Sequence, residues 1–483
     1  MQERRVEVAV IGAGTAGMTA FRAARAATES VLLIEGERYG TTCARAGCMP
    51  SKLLIAAAEA AHMVEKAPAF GVETAPPRIN GRAVMDRVRR ERDRFVGFVV
   101  ETVEDWPAEQ RLMGRARFVD DHTLEVEGAD GSQHRVIAER IVIATGSTTV
   151  WPRFFEAVGD LLATSDDIFD WEDLPESVAV FGGGVIGLEL GQALHRLGVR
   201  IRLFGKGGGI ATLTDPEVRA AALAALGGEF PFDPDAPVES IERDGDAVVV
   251  TFTDQAGKTT TERFARLLAA TGRRPAVQRL GLETTSLELD DNGIPRFDPC
   301  TLQCGESHIF IAGDVNNFRP ILHEAADEGR TAGENAARFP DVRAGLRRVP
   351  MGVVFTEPNL AVVGEGFAEL EARSCPFATG SVAFESQGRS RVMLQNQGLL
   401  RVYGEFGSGL FLGAEMAGPR AEHLAHLLAW ALTQRLTVPA MLDMPYYHPV
   451  IEEGLRTALR QLNRNLRLGP EPVKRSMDCG PGA

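Results

Sequence analysis

The chain has 483 residues, 44% of them hydrophobic, and at about 150 residues per domain this is room for three domains with sizeable cores. A formal net charge of −14 argues against a general nucleic-acid or anionic-membrane surface, and six cysteines are too sparse for a secreted disulfide scaffold. No apolar run reaches bilayer length, and an apolar strand already begins at Val6, leaving no room for a signal peptide, so the expectation is a cytoplasmic globular protein with no nucleic-acid or membrane partner.

In chain order, residues 6–35 read as a strand, the turn Gly12-Ala13-Gly14-Thr15-Ala16-Gly17, an alanine-rich helix to about residue 27, and a second strand ending in Glu35. This is a βαβ dinucleotide fingerprint in its confirming context. The glycines let the backbone approach a pyrophosphate at a helix N-terminus, and the terminal acid accepts from a ribose hydroxyl.

The stretch Thr41-Thr42-Cys43-Ala44-Arg45-Ala46-Gly47-Cys48-Met49-Pro50-Ser51-Lys52 follows, at the mouth of an apolar helical run over 53–61. A helix start supplies Cys48 with backbone N–H groups and the positive end of the helix dipole, both of which favour a thiolate. Cys43 is near enough in sequence to close a small disulfide ring, and Lys52 lies one turn beyond Cys48 on the same face. Two buried, inert cysteines at a helix start are the competing reading. Residues 82–103 read as a long charged scaffold helix, 111–140 as a β-meander, and 141–147 as a buried strand ending in the small-residue turn Gly146-Ser147.

A second fingerprint follows: a strand over 178–181, Gly182-Gly183-Gly184-Val185-Ile186-Gly187, a helix to about residue 197 and a strand over 199–204. Two such sites imply two cofactors, or a cofactor and a cosubstrate. Gly205 stands at the same offset from Gly187 as Glu35 from Gly17, so the second site lacks the ribose carboxylate and continues into Lys206 and a glycine-rich run. Another strand-to-glycine exit ends at Gly272, and the strand 309–311 runs into Gly313-Asp314, placing an acid at a ligand crevice where it suits a polyol. A helix starting near Leu322 aims its N-terminal amides at the same crevice, and His323 at that start reads as a cap or packing residue. From about residue 349 short strands at 351–355, 360–363, 399–403 and 410–413, then helices over 421–436 and 451–466, read as a separate α+β domain. Between those helices His448 sits in a Pro-flanked turn with Glu453 one turn into the helix. That spacing fits both a helix cap with a surface acid and an acid-oriented general base.

Together, G-x-G-x-x-G with Glu35, C-x4-C-x3-K at Cys43, Cys48 and Lys52, the second fingerprint with Glu189, Gly313-Asp314 and His448-Pro449-x3-Glu453 resemble the flavin-dependent pyridine nucleotide disulfide oxidoreductases, and within them the dihydrolipoyl dehydrogenases. The resemblance implies an α/β fold with two Rossmann-like domains and a C-terminal α+β dimerisation domain. It divides the chain into a flavin domain (1–150 and 276–345), a nicotinamide-nucleotide domain (151–275), a dimerisation domain (346–468) and a tail (469–483). FAD is expected on Gly12, Gly14, Gly17 and Glu35, with Ala116 at the adenine and Asp314 at the ribityl chain. NAD, with NADP possible, is expected at Gly182, Gly183, Gly184, Ile186, Gly187 and Gly272, and Thr42, Lys52, Gly146, Lys206 and Leu322 join the cofactor-binding residues.

The resemblance also assigns catalytic roles. Cys48 becomes the sulfur against the flavin, Cys43 the outer sulfur that exchanges with substrate, and Lys52 with Glu189 an ion pair beside the flavin. His448 with Glu453 serves the other subunit's cysteines in a homodimer. The partner is then a lipoyl-bearing carrier protein or a small disulfide. An NADPH-driven reductase of another disulfide or a metal ion is the alternative enzyme, and a non-catalytic flavoprotein sensor the alternative outside enzymes. Cys300 and Cys304 form a second C-x3-C pair with no flanking His or third Cys, so no metal site is expected, and Cys479 stands alone in a Gly- and Pro-rich tail where mercuric reductases carry a pair. Gly205 and Lys206, with Arg200 and Arg202 on the same strand, suggest weakened discrimination against NADP, which Gly205→Glu is expected to restore.

Overall fold

A computed structural model describes residues 2–374 and 376–469, and the expectation placed on Cys479 lies outside them. The strand Gln2–Ile11 is the centre of the first sheet, pairing in parallel with Val31–Glu35 on one side and Gln133–Ile143 on the other. Its residues 8–11 are all buried, because helices cover one face through Val8 and Val10 while Ala9 and Ile11 on the other pack against the strands Arg115–Phe118 and Thr123–Glu127 and residues 277–304, which leaves no solvent side for alternation. Helices Thr15–Arg25 and Leu322–Arg338 pack on one such face through Ala16, Ala20, Ala325 and Ala332.

The meander expected over 111–140 is only partly present. Arg111–Met113 leaves it to extend the parallel edge beside Val31–Glu35, and the strands on either side of Arg140 are one element, Gln133–Ile143. The first half of that strand pairs antiparallel with Thr123–Glu127, and its last three residues take Ile309–Ile311 in parallel. Burial changes there from patchy to continuous, so one strand reads as two. The return of residues 309–311 closes the sheet begun at residue 2.

The second sheet is wholly parallel, in the order Phe232–Asp233, Arg200–Phe204, Ser177–Phe181, Arg266–Ala269, Leu162–Thr164. A three-stranded antiparallel layer, Val238–Asp244, Ala247–Thr253 and Thr259–Phe264, packs Phe252 and Phe264 against Phe204. Where the chain leaves the first sheet and where it returns, Ser147–Thr149 and Arg273–Pro275 pair antiparallel.

The C-terminal unit is an antiparallel sheet, Met351–Val354, Asn359–Gly364, Phe411–Gly418, Leu399–Glu405, Phe377–Ala383, with helices Ala421–Thr433 and Glu452–Leu466 against it. The edge strand Phe377–Ala383 escapes sequence reading because its centre is Gly380. A side chain there would meet the Ala458 carbonyl oxygen at 2.1 Å, so the helix approach that makes the strand possible also removes its apolar pattern. Among the described residues no helix is long and apolar enough to cross a membrane.

Candidate active site

Cys48 is the first residue of the 19-residue helix Cys48–Lys66, and Cys43 lies on the one-turn helix Thr42–Arg45 just before it. Thr41 caps that turn by accepting from the Ala44 amide at 3.1 Å, while Thr42 is exposed. Cys48 is exposed and Cys43 half-buried, and both are free thiols within hydrogen-bonding reach of each other. The hydrogen bond from Cys43, helped by the Lys52 ammonium and the Cys48 amide, brings the Cys48 thiol down to about 7 against the pull of partial burial. The same hydrogen bond, with burial, pushes the Cys43 thiol far above the ordinary thiol range. One sulfur is thereby made the anion and the other its proton donor.

Labelling of Cys48 by iodoacetamide is accordingly expected to rise with pH through an inflection near the value of about 7 that the pair sets. Cys43→Ala removes the donor and is expected to move that inflection upward, whereas Cys43→Ser keeps a hydroxyl donor and moves it less. Mass-spectrometric labelling rates across a pH series measure this. An inflection unmoved in Cys43→Ala would assign the shift to Lys52 and the helix start alone.

One turn on, Lys52 Nζ lies 2.7 Å from Glu189 Oε2. Glu189 is buried on the helix Val185–Arg196 that follows the second fingerprint, and its other oxygen accepts from the Phe355 amide at 2.9 Å. The Lys52 ammonium also sits 4.5 Å from the centre of the Phe355 ring. Sequence reasoning missed Phe355, which has no motif and contributes a backbone amide and a ring face. At the far end of the cysteine helix Lys66 pairs with Glu357 at 2.6 Å, and Arg196 joins Glu357 at 3.0 Å and Glu229 at 2.5 Å. The helix is therefore tied at both ends to the second nucleotide unit and to the C-terminal segment.

The two fingerprint loops repeat one geometry. Gly12 (φ +106°) and Gly182 (φ +120°) each turn where a side chain would strike the carbonyl oxygen of the adjacent strand exit, Ala144 at 2.3 Å and Ala270 at 2.2 Å. A side chain at Gly17 or Gly187 would strike the carbonyl oxygen of Gly12 or Gly182, at 1.8 and 1.9 Å. The middle glycines, Gly14 and Gly184, face nothing within 4 Å, and each is the N-cap of a helix that no side chain caps. Open space over a glycine at a helix N-terminus is the cradle a dinucleotide diphosphate requires, so these residues fit FAD and a nicotinamide nucleotide. Ile186 lies in the first turn of the second of these helices.

Glu35 folds back on the first loop, accepting from the amides of Ala13 at 2.8 Å and Glu37 at 2.9 Å. Asp314 accepts from Ser147 Oγ at 2.8 Å, and Arg273 donates to the same Ser147 oxygen at 2.9 Å, so the turns after Gly146 and Gly272 meet at this acid. Behind it, Glu328 accepts from the Gly313 amide at 2.8 Å and holds Asn316, a buried support that carries no local sequence signature. Ala116 is buried in the strand Arg115–Phe118, and Leu322 opens the helix Leu322–Arg338. Ile321, not His323, is the N-cap of that helix.

The arginines expected near the second ribose are committed elsewhere. Arg202 is held by Asp233 at 2.9 Å and Glu262 at 2.8 Å, and Arg200 bonds Glu262 and the Arg263 carbonyl. Position 205 does not admit the proposed glutamate either, because a side chain there would meet the Pro234 carbonyl oxygen at 2.3 Å. Lys206 is exposed.

His448 Nδ1 lies 3.0 and 3.1 Å from the two carboxylate oxygens of Glu453, which is buried and also accepts from the Val450 amide at 3.2 Å. The His448 side chain remains 58% exposed, and among the described residues its ring bonds to neither cysteine of its own chain. Cys304 is buried with its thiol pushed up by burial, Cys300 is exposed, and among the described residues no His/Cys/Asp/Glu group could hold a metal ion.

Residues 6–329 match the pyridine nucleotide-disulphide oxidoreductase family, and residues 350–459 match that family's dimerisation domain. The chain belongs to this family of flavin disulfide oxidoreductases. It is 30% identical to a mercuric reductase of Shigella flexneri over 96% of its own length and 82% of that protein. It is also 30% identical to a dihydrolipoyl dehydrogenase of Haloferax volcanii over 94% of its length and 95% of that one. Its fold matches LpdA from Mycobacterium tuberculosis with a TM-score of 0.79 at 24% identity, covering 95% of this chain and 100% of that one. It matches the Cu(II) complex of the HOCl-induced flavoprotein disulfide reductase RclA from Escherichia coli with a TM-score of 0.77 at 21% identity, covering 94% and 99%. The parallel-sheet units are thus the FAD- and NAD-binding Rossmann-like domains, and the C-terminal unit is the dimerisation domain.

Proposed function

We propose that the chain is a cytoplasmic, homodimeric dihydrolipoyl dehydrogenase that moves two electrons from a dihydrolipoyl group on a carrier protein to NAD through Cys43 and Cys48. The observation that carries this reading is the placement of two free thiols within hydrogen-bonding reach of each other, Cys48 at the start of a helix and Cys43 on the turn before it, one turn from the Lys52–Glu189 ion pair. Bound FAD supplies the two-electron carrier between sulfur and nicotinamide.

In the oxidised enzyme Cys43 and Cys48 share a disulfide. Glu453 orients the His448 ring through Nδ1, leaving Nε2 to take a proton from the incoming substrate thiol. The substrate thiolate attacks Cys43, forming a mixed disulfide, and Cys48 leaves as a thiolate, which its low value favours. His448 passes that first proton to solvent and takes one from the second substrate thiol, which closes on the first and releases oxidised lipoyl. Cys43 leaves and receives this second proton from His448, so both electrons stay on the cysteine pair. His448 is exposed in its own chain, which suits action on the cysteines of a second subunit.

A second reading, reduction of a metal ion by NADPH, is favoured by the similarity to mercuric reductase. Against it stands the solitary Cys479 where those enzymes carry a pair. The intact His448–Glu453 contact speaks against a non-catalytic sensor.

The purified protein is expected to be a yellow homodimer with one FAD per chain. It is expected to turn over free dihydrolipoamide with NAD at about 1–10³ s⁻¹. Steady-state assays with dihydrolipoamide, and separately with NADH or NADPH plus a panel of disulfides, Hg(II) and Cu(II), decide between the readings. Turnover of a metal ion with none of dihydrolipoamide would replace the first by the second, and a colourless monomer that FAD does not reconstitute would remove both.

A further inference from the structure

The two fingerprint units share one hydrogen-bond register at the end of their second strand. The Gly12 amide donates to the Ile34 carbonyl at 2.7 Å and the Gly182 amide to the Phe204 carbonyl at 2.8 Å, which aligns Glu35 with Gly205 and Glu37 with Gly207. In the first unit the Glu35 carboxylate accepts from the Glu37 amide at 2.9 Å. In the second unit the backbone of Pro234 occupies the space a side chain at position 205 would need. The next residue of that same segment, Asp235, accepts from the Gly207 amide through Oδ1 at 2.7 Å. Register-equivalent amides are therefore held by a carboxylate in both units. The first carboxylate comes from the strand end itself and the second from the segment that follows the neighbouring strand Phe232–Asp233.

Asp235 is exposed, and among the described residues its Oδ2 has no hydrogen-bond partner. Against it, Lys206 is the only cation of the set with Arg200 and Arg202 that is not already paired among the described residues, and a lone lysine gives no bidentate fork for a phosphate. We propose that Asp235 is the coenzyme-selecting residue: its carboxylate accepts from the adenosine-ribose 2′-hydroxyl of NAD(H) and repels the 2′-phosphate of NADP(H). The second unit would then keep the acid at the ribose that its sequence lacks at position 205. This rests on the second fingerprint holding the nicotinamide coenzyme.

Calorimetric titration of the FAD-loaded protein with ADP-ribose and with 2′-phospho-ADP-ribose tests the proposal without turnover. The native protein is expected to bind ADP-ribose about tenfold or more tightly than the phosphorylated ligand. Asp235→Asn keeps an oxygen for the Gly207 amide but no charge, and is expected to lower that ratio about tenfold, chiefly by improving binding of the phosphorylated ligand. Asp235→Ala is expected to lower the ratio as well, with a loss of ADP-ribose affinity added. An unchanged ratio in Asp235→Asn overturns the proposal, even if Asp235→Ala weakens both ligands equally, because Asp235 would then only shape the loop. Native protein that binds neither ligand would remove the coenzyme site along with it, whereas intact binding without selectivity removes the role of Asp235 alone.

Discussion

Cys43→Ser and Cys48→Ser are each expected to lower dithiol turnover to below about one thousandth of the native rate while FAD stays bound. The sulfurs occupy the turn Thr42–Arg45 and the start of Cys48–Lys66, whereas the residues that fit the dinucleotide are Gly12, Gly14, Gly17, Glu35 and the Asp314 turn. The relay therefore fails without loss of the cofactor. The variants are also expected to differ from each other. Cys43→Ser retains Cys48 and a hydroxyl donor to it, and is expected to keep the long-wavelength absorption of a thiolate beside flavin; Cys48→Ser is expected to lose it. Stopped-flow assays and absorption spectra of both proteins check this, and identical spectra would contradict the assignment of inner and outer sulfur.

His448→Ala carries the second large effect. Loss of a general base costs about 10²–10⁴-fold, and here the cost is expected to fall on the half-reaction with dithiol, leaving electron transfer between flavin and nicotinamide near its native rate. Glu453→Gln keeps a polar partner of similar shape for Nδ1 at 3.0 Å, whereas Glu453→Ala removes it. Glu453→Ala is therefore expected to slow the dithiol half-reaction more than Glu453→Gln and less than His448→Ala, the mark of a positioning residue. Equal slowing of both half-reactions by His448→Ala would make the histidine structural.

The sequence made local chemistry legible wherever spacing alone carries it. The turn before each fingerprint helix is decided within one or two turns of chain and the acid at Glu35 within one βαβ unit, whereas the five-residue separation of His448 from Glu453 fitted a cap as well as a general base until the resemblance chose between them. Contacts across the fold were harder. The pairing of Lys52 with Glu189 crosses 137 positions and came only from resemblance to relatives. Phe355, which completes that pair with an amide and a ring, has no signature. Gly205 shows how a correct alignment still misleads. Its offset identified the register partner of Glu35, but whether a side chain fits there depends on Pro234, a segment the offset says nothing about. The strand Gln133–Ile143 was split in two because a pattern reports what covers a strand, and the cover changes midway along it.

The helix Cys48–Lys66 is anchored at one end by Lys52 to Glu189 and at the other by Lys66 to Glu357, and Arg196 binds Glu357 to Glu229 as well. The reactive sulfur is in this way surveyed from two distant benchmarks, one on the second nucleotide unit and one inside the dimerisation domain, between the strands Met351–Val354 and Asn359–Gly364. Its alignment is a property of the assembled body, because both benchmarks lie outside the unit that carries the sulfur.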